Sequence, residues 1–125
     1  MWKTLQTDEF DRRFKRYEKK APRELQAVLD NLDLFLEALK AGVKPKPPAF
    51  GFLHVEPSDV LAIDQKGGGN KLAQTRLYVY PDTTAKTLYL LTLGDKTSQR
   101  EDIKNCKAFV EHIKTHSKQE DIENG

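Results

Sequence analysis

Leu88-Tyr89-Leu90-Leu91-Thr92-Leu93-Gly94-Asp95-Lys96-Thr97-Ser98-Gln99-Arg100-Glu101-Asp102-Ile103 is the stretch on which the reading of the chain turns. Its first six residues are a dense apolar run bounded by turn residues, the pattern of a strand. Gly94-Asp95-Lys96 then breaks the run. Ser98 and Glu101 stand in the S-x-x-E spacing of a capping box, which predicts a helix start. Beyond it Ile103, Cys106, Val110 and Ile113 recur at helical spacing and predict one buried stripe. The stretch therefore reads as strand, tight turn and amphipathic helix.

Upstream, Leu72 to Tyr80 predicts another strand, with Pro81-Asp82-Thr83-Thr84 turning it into the strand Thr87 to Leu93. Phe50 to Val55 and Val60 to Gln65 predict two more strands around the turn Glu56-Pro57-Ser58-Asp59. Gly67-Gly68-Gly69 with Asn70 reads as a hairpin loop; no Gly-Lys-Ser/Thr or helix start follows, as a phosphate loop requires. The proline run Lys44 to Pro48 removes amide donors and predicts a stiff linker into the sheet.

The N-terminal part is helical. Trp2 to Gln6 suits a short first strand, and Thr7 before Asp8 and Glu9 is an N-cap with first-turn acids. Phe10, Phe14 and Tyr17 mark the buried side of that helix, with Arg12, Arg13, Lys15, Arg16, Lys19 and Lys20 around them. Such a basic face is either plain solvated surface or an RNA contact. Pro22 suits a first helical position, and Leu25, Val28, Leu29, Leu32, Phe35, Leu36 and Leu39 trace one apolar face until Gly42. The expected fold class is α+β: two N-terminal helices packed on a curved antiparallel sheet, followed by a C-terminal helix. One domain is expected over residues 1–114, with 115–125 a polar, disordered tail.

At 125 residues the chain has room for one core, and 21 Lys and Arg against 19 Asp and Glu leave a net charge of only +2. That balance does not by itself imply a nucleic-acid partner, so a basic site has to come from clustering. The single Cys106 has no intrachain disulfide partner; its place on a buried stripe predicts a packed thiol and a cytoplasmic, reducing setting. No stretch approaches the roughly 20 apolar residues of a bilayer span, so no membrane partner is expected. His112 and His116 are four apart on one helix, with no carboxylate or Cys completing a metal site in the H-E-x-x-H manner. No metal or cofactor is expected.

Strand alternation puts Gln74, Arg76, Tyr78 and Tyr80 on one side and Thr75, Leu77 and Val79 on the other. With the apolar side against the helices, Arg76 stands on a polar, aromatic surface. It is placed there to hold a phosphate beside stacked bases, or equally to form a cross-strand ion pair. Lys96 beside a helix start suits an anion, while Asp95 fits a turn-capping role. His54 is a candidate general base for attack by a ribose 2′-hydroxyl if it shares Arg76's face, and otherwise a packing residue.

With these residues in place, Trp2 to Lys114 resembles the RelE/ParE toxin superfamily, in its addiction-module killer or phage-type HigB-like branch. The residues that carry the resemblance are Arg76-Leu77-Tyr78, the aliphatic strand after it, and Gly94, Asp95, Lys96, Gln99, Asp102 and Ile103 in a G-D-K-x-x-Q-x-x-D-I pattern. The resemblance implies the toxin of a type II toxin-antitoxin system, a metal-independent endoribonuclease that cuts messenger RNA on the ribosome and is neutralised by a cognate antitoxin. It implies Arg76 at the scissile phosphate and Lys96 as the basic residue near the end of the last strand. His54 is added as a third catalytic candidate, Lys66 and Lys71 as candidates for the remaining basic groups of the substrate site, and Tyr78 and Tyr80, from their strand face, as substrate-binding residues. The chain departs from the pattern in the strand Val60 to Lys66, where only Lys66 is available in place of the two basic residues of well-known ribonucleases of the superfamily. Asp64 there has the wrong charge for phosphate, and no tyrosine follows Lys96 in the last helix. The alternative is a non-enzymatic inhibitor on the same scaffold, of the gyrase-poison kind, or a degenerate toxin that only binds its antitoxin.

Overall fold

The Thr7 hydroxyl accepts the Phe10 amide at 2.9 Å and donates to the Leu91 carbonyl at 2.6 Å, so one side chain both starts a helix and pins it to the sheet. The computed structural model that shows this describes residues 1–46, 50–65 and 72–124, those from 117 on by their backbone alone. Strand β1 (Lys3–Gln6) precedes helix α1 (Asp8–Lys20), and α2 (Pro22–Lys40) follows with Pro22 in its first turn. Then come β2 (Leu53–Val55), a 3₁₀ turn (Pro57–Asp59), β3 (Leu61–Asp64), β4 (Thr75–Asp82), β5 (Thr87–Asp95) and α3 (Gln99–Asn124).

The five strands lie in the order β1-β5-β4-β3-β2. β2 through β5 pair antiparallel as expected, but β1 runs parallel to β5, from Lys3 opposite Thr87 to Gln6 opposite Leu90. The sheet is therefore mixed, not antiparallel throughout. A register shift between Tyr78 and Val79 leaves Leu91 as an extra residue of β5, a bulge that bends the strand.

Several boundaries differ from the expected ones for local reasons. Only Leu53–Val55 of the Phe50 to Val55 segment pairs in the sheet; the Phe50 ring packs edge-on against Phe35 at 5.0 Å instead. Pro81 stays in the ladder opposite Leu88, and the reversal falls after Asp82, whose Oδ1 accepts the Ala85 amide at 3.1 Å. β4 begins at Thr75 rather than Leu72, its entry tied to the end of β3 by Gln65, which donates to the Ala73 carbonyl at 2.7 Å and accepts the Thr75 amide. The Gly67 loop lies outside the described residues.

Two cores flank the sheet. Phe10, Val28, Leu32, Phe35 and Leu39 of α1 and α2 pack on Ile63, Leu77, Val79, Leu88 and Leu93. On the opposite face Cys106 and Val110 of α3 pack on Ala62, Tyr78, Tyr80 and Leu91. The side of β4 expected to be an open polar surface is thus roofed by α3. That correction follows from the α3 stripe, which needs an apolar partner and finds it on the tyrosine face.

The start of α3 is not the expected Ser98–Glu101 box. Asp95 Oδ1 accepts the Thr97 amide at 2.9 Å, the Ser98 amide at 3.1 Å and the Thr97 hydroxyl at 2.6 Å. Ser98 Oγ donates to Asp102 Oδ2 at 2.7 Å, and Glu101 stays exposed. Asp102 itself is buried, and its Oδ1 receives Arg13 Nη1 at 2.8 Å; the same nitrogen donates to the Leu93 carbonyl at 2.8 Å. This carboxylate lies so close over Gly94 that a Cβ there would collide with Asp102 Oδ2. Gly94, Asp95 and Asp102 of the tail motif therefore have structural work, joining α1, β5 and α3.

Candidate nucleic-acid interface

Register places the sequence-predicted residues. Arg76 on β4 lies opposite Asp64 on β3 and Gly94 on β5, and His54 on β2 lies opposite Ala62, which pairs with Tyr78. Because residues two apart share a face, His54, Asp64, Arg76 and Tyr78 stand on the same side of the sheet. Lys96 follows Asp95 at the strand end beside Arg76, exposed in the turn. The sheet thus brings Arg76, Lys96 and His54 to one region although up to 42 positions separate them in the sequence (96 − 54).

Arg76 is only 16% exposed, with Nη1 3.5 Å from Glu56 Oε1. With its amide oxygen turned to the guanidinium, Gln74 accepts from Nε at 3.0 Å and Nη2 at 3.1 Å. The guanidinium is therefore oriented by a neutral acceptor on one edge and a carboxylate at long range on the other. His54 Nε2 lies 3.5 Å from Asp64 Oδ2 and has no hydrogen-bond partner among the described residues. Asp64 is fixed from behind, since buried Asn31 on α2 donates to its carbonyl at 2.6 Å.

The two tyrosines do not stand where a base would stack. Tyr78 is fully buried beneath α3, its hydroxyl without a partner among the described residues, and burial, reinforced by the Asp102 carboxylate, pushes its phenol far above the usual range. Tyr80 is 8% exposed and stacks on Tyr89, with ring centroids 5.8 Å apart. Both act as core under α3, a correction to their expected substrate-binding role. Lys66 and Lys71 lie outside the described residues.

Sequence reasoning passed over a cleft at the same end of the sheet. About 330 Å³ in volume, it lies between the C-terminal half of α1, the start of α2, the entry to β4 and the turn into α3. Arg16, Tyr17 and Lys20 form one wall, and Gln74, Asp95, Thr97 and Ser98 the other. Burial, then the nearby Asp95 carboxylate, raises the Tyr17 phenol above its ordinary value, so it remains a hydroxyl donor at neutral pH. The sequence signal was present in Arg16 and Lys20 at i, i+4, which share a helix face. What the sequence did not reveal was that Arg13, one turn earlier, is an internal anchor.

Among the described residues no group of three or more His, Cys, Asp or Glu could hold a metal ion, and no helix is long and apolar enough to cross a membrane. The fold and site define an α+β domain with a mixed five-stranded sheet and an arginine-centred polar region where β4 begins. Compared with known proteins, the chain matches no family model, and no curated protein matches it either.

Proposed function

We propose that the chain is the toxin of a type II toxin-antitoxin pair, similar to RelE/ParE toxins, and that it cuts messenger RNA on the ribosome. The observation that carries this reading is the gathering of Arg76, Lys96 and His54 at one end of one sheet, beside the Gly94-Asp95-Lys96 turn into α3. Two further features agree with it. The paired helices α1 and α2 pack on one face of the sheet, and the C-terminal helix follows the last strand directly.

In this reading Arg76 holds the scissile phosphate, exchanging Gln74 for a phosphoryl oxygen and neutralising the charge that builds on phosphorus. His54 removes the proton of the ribose 2′-hydroxyl as O2′ bonds to phosphorus, with Asp64 beside it to stabilise the imidazolium that forms. The P–O5′ bond breaks, and Lys96 supplies a proton to the departing oxygen, leaving a cyclic phosphate and a 5′-hydroxyl. The cognate antitoxin is the second partner in this reading.

One observation favours the non-catalytic alternative, an inhibitor that only binds: Glu56 and Asp64 bring two carboxylates to the face where phosphate charge would arrive. Inducing the protein in growing bacteria and mapping transcript 5′ ends separates the two. New ends confined to translated regions, phased with codons and lost in Arg76→Ala, support the ribonuclease. Growth arrest with an unchanged end profile, persisting in Arg76→Ala, would reject it for the inhibitor.

A further inference from the structure

Of the cations on α1, Arg12 pairs with Glu9, and Arg13 is held by Glu9 and Asp102. Arg16 and Lys20 have no ion-pair partner among the described residues, and both line the cleft beside Tyr17. Lys15 and Lys19, on the same helix, do not line it. The cleft is also lined by Arg13 and by two carboxylates, Glu24 at the start of α2 and Asp95 on the turn. The Gln74 side chain lies at the junction, lining the cleft while its amide oxygen holds Arg76.

A lining of this kind selects among polyanions. An acidic peptide would meet Arg16 and Lys20 but be repelled by Glu24 and Asp95. A ligand with a phosphate at one end and an amine-bearing ring at the other satisfies both kinds of lining group, with the hydroxyl of the half-buried Tyr17 as a further polar group in the lining. The volume of about 330 Å³ is at the lower end of small-molecule sites, room for one such unit and not for a folded duplex. We propose that this cleft is a subsite for one nucleotide of single-stranded RNA, with its phosphate on Arg16 and Lys20 and a base bearing an exocyclic amine toward Glu24 and Asp95. Identifying the ligand as RNA rests on the toxin reading above. The Gln74 link makes this nucleotide the neighbour of the phosphate on Arg76, so the cleft adds a base preference, adenine, cytosine or guanine over uracil, next to the cut.

The test is fluorescence anisotropy with labelled hexa-adenylate and hexa-uridylate, without ribosomes. Hexa-adenylate should bind about tenfold tighter than hexa-uridylate, and Glu24→Gln should shrink that ratio severalfold. Arg16→Ala with Lys20→Ala should weaken binding by at least about tenfold and flatten its salt dependence by roughly 0.7 for each phosphate left without its cation. Lys15→Ala with Lys19→Ala removes the same charge and should change affinity less than about threefold. Equal weakening in the two double variants, equal affinity for the two oligonucleotides, or equal displacement by a glutamate-rich peptide would each overturn the subsite. Codon-phased cutting whose base preference survives the Arg16 and Lys20 changes would reject the subsite and leave the ribonuclease. A cleft that passes every binding test in a protein that cuts no transcript would reject the ribonuclease and keep the RNA site.

Discussion

Gly94→Ala and Asp102→Ala, made singly and together, probe the junction on which the turn carrying Lys96 depends. Asp102→Ala removes two hydrogen bonds to a buried carboxylate, from Arg13 at 2.8 Å and from Ser98 at 2.7 Å. Arg13 keeps the Leu93 carbonyl and Glu9, so its charge is not orphaned, and the expected loss is about 3 kcal/mol rather than the top of the range for broken buried pairs. Gly94→Ala acts from the other side. Its new Cβ would strike Asp102 Oδ2, with Asp102 Cγ at 3.1 Å and Ser98 Oγ at 2.9 Å, so the carboxylate must leave the same partners and the loss is again about 3 kcal/mol. In the double variant the obstructing carboxylate is gone, and only the Ser98 hydroxyl has to rotate. The double variant should therefore lose about 3 to 4 kcal/mol instead of the roughly 6 that additivity gives, a coupling of about 2 to 3 kcal/mol. Urea unfolding measures all four proteins, and each single variant should melt about 12 °C lower. An additive double variant, or a single variant within about 1 kcal/mol of the parent, would refute the packing argument.

Three further outcomes follow from the same geometry. Asp95→Ala removes the acceptor at the turn and should cost about 1 kcal/mol at pH 7, as removal of other helix caps does. Hydrogen bonds led by the Thr97 hydroxyl lower the folded-state pKa of Asp95; its contribution is therefore present above about pH 4 and lost as pH falls through the folded value, so the gap between parent and variant should narrow in acid unfolding series. Burial, with Asp102 adding to it, pushes the Cys106 thiol up to about 12, so a thiol-specific disulfide reagent at pH 8 should label the native protein only as fast as it opens; rapid labelling would contradict the packing under α3. Glu56→Gln removes the carboxylate 3.5 Å from Arg76 and should strengthen RNA binding by roughly threefold to tenfold, matching the ~1 kcal/mol of a modest ion pair; unchanged or weaker binding would mean that Arg76 does not meet phosphate.

Local patterns carried the reading of the helices. Thr7, Pro22 and the α2 stripe each act through neighbours within one or two turns, and each is found where the sequence places it. The parallel pairing of β1 was not legible, because edge position is decided by pairing with β5 some 80 residues away. The roof over Tyr78 and Tyr80 was hidden for a related reason: an apolar stripe on α3 says that a partner exists, not which face of the sheet provides it. Arg13 and Arg16 look alike in sequence and both line the cleft, yet Arg13 is anchored to buried Asp102 with its side chain 19% exposed, whereas Arg16 has no ion-pair partner among the described residues. Periodicity cannot separate them, since three residues along a helix still fall on neighbouring faces.

Arg13 and Arg76 carry the same side chain, and their partners sort them into different jobs. Arg13 is bound at 2.8 Å to a buried carboxylate, to a backbone carbonyl and to Glu9, an arrangement that no incoming anion can improve. Arg76 has a neutral amide on one edge and a carboxylate 3.5 Å away on the other. A phosphate replacing Gln74 exchanges a neutral acceptor for an anionic one that can take two parallel N–H bonds from the guanidinium, and that added ion–ion attraction is what must offset repulsion from Glu56. Arg76 is therefore pre-oriented and its neutral partner replaceable, which is why the proposed function gives the scissile phosphate to Arg76 and not to Arg13.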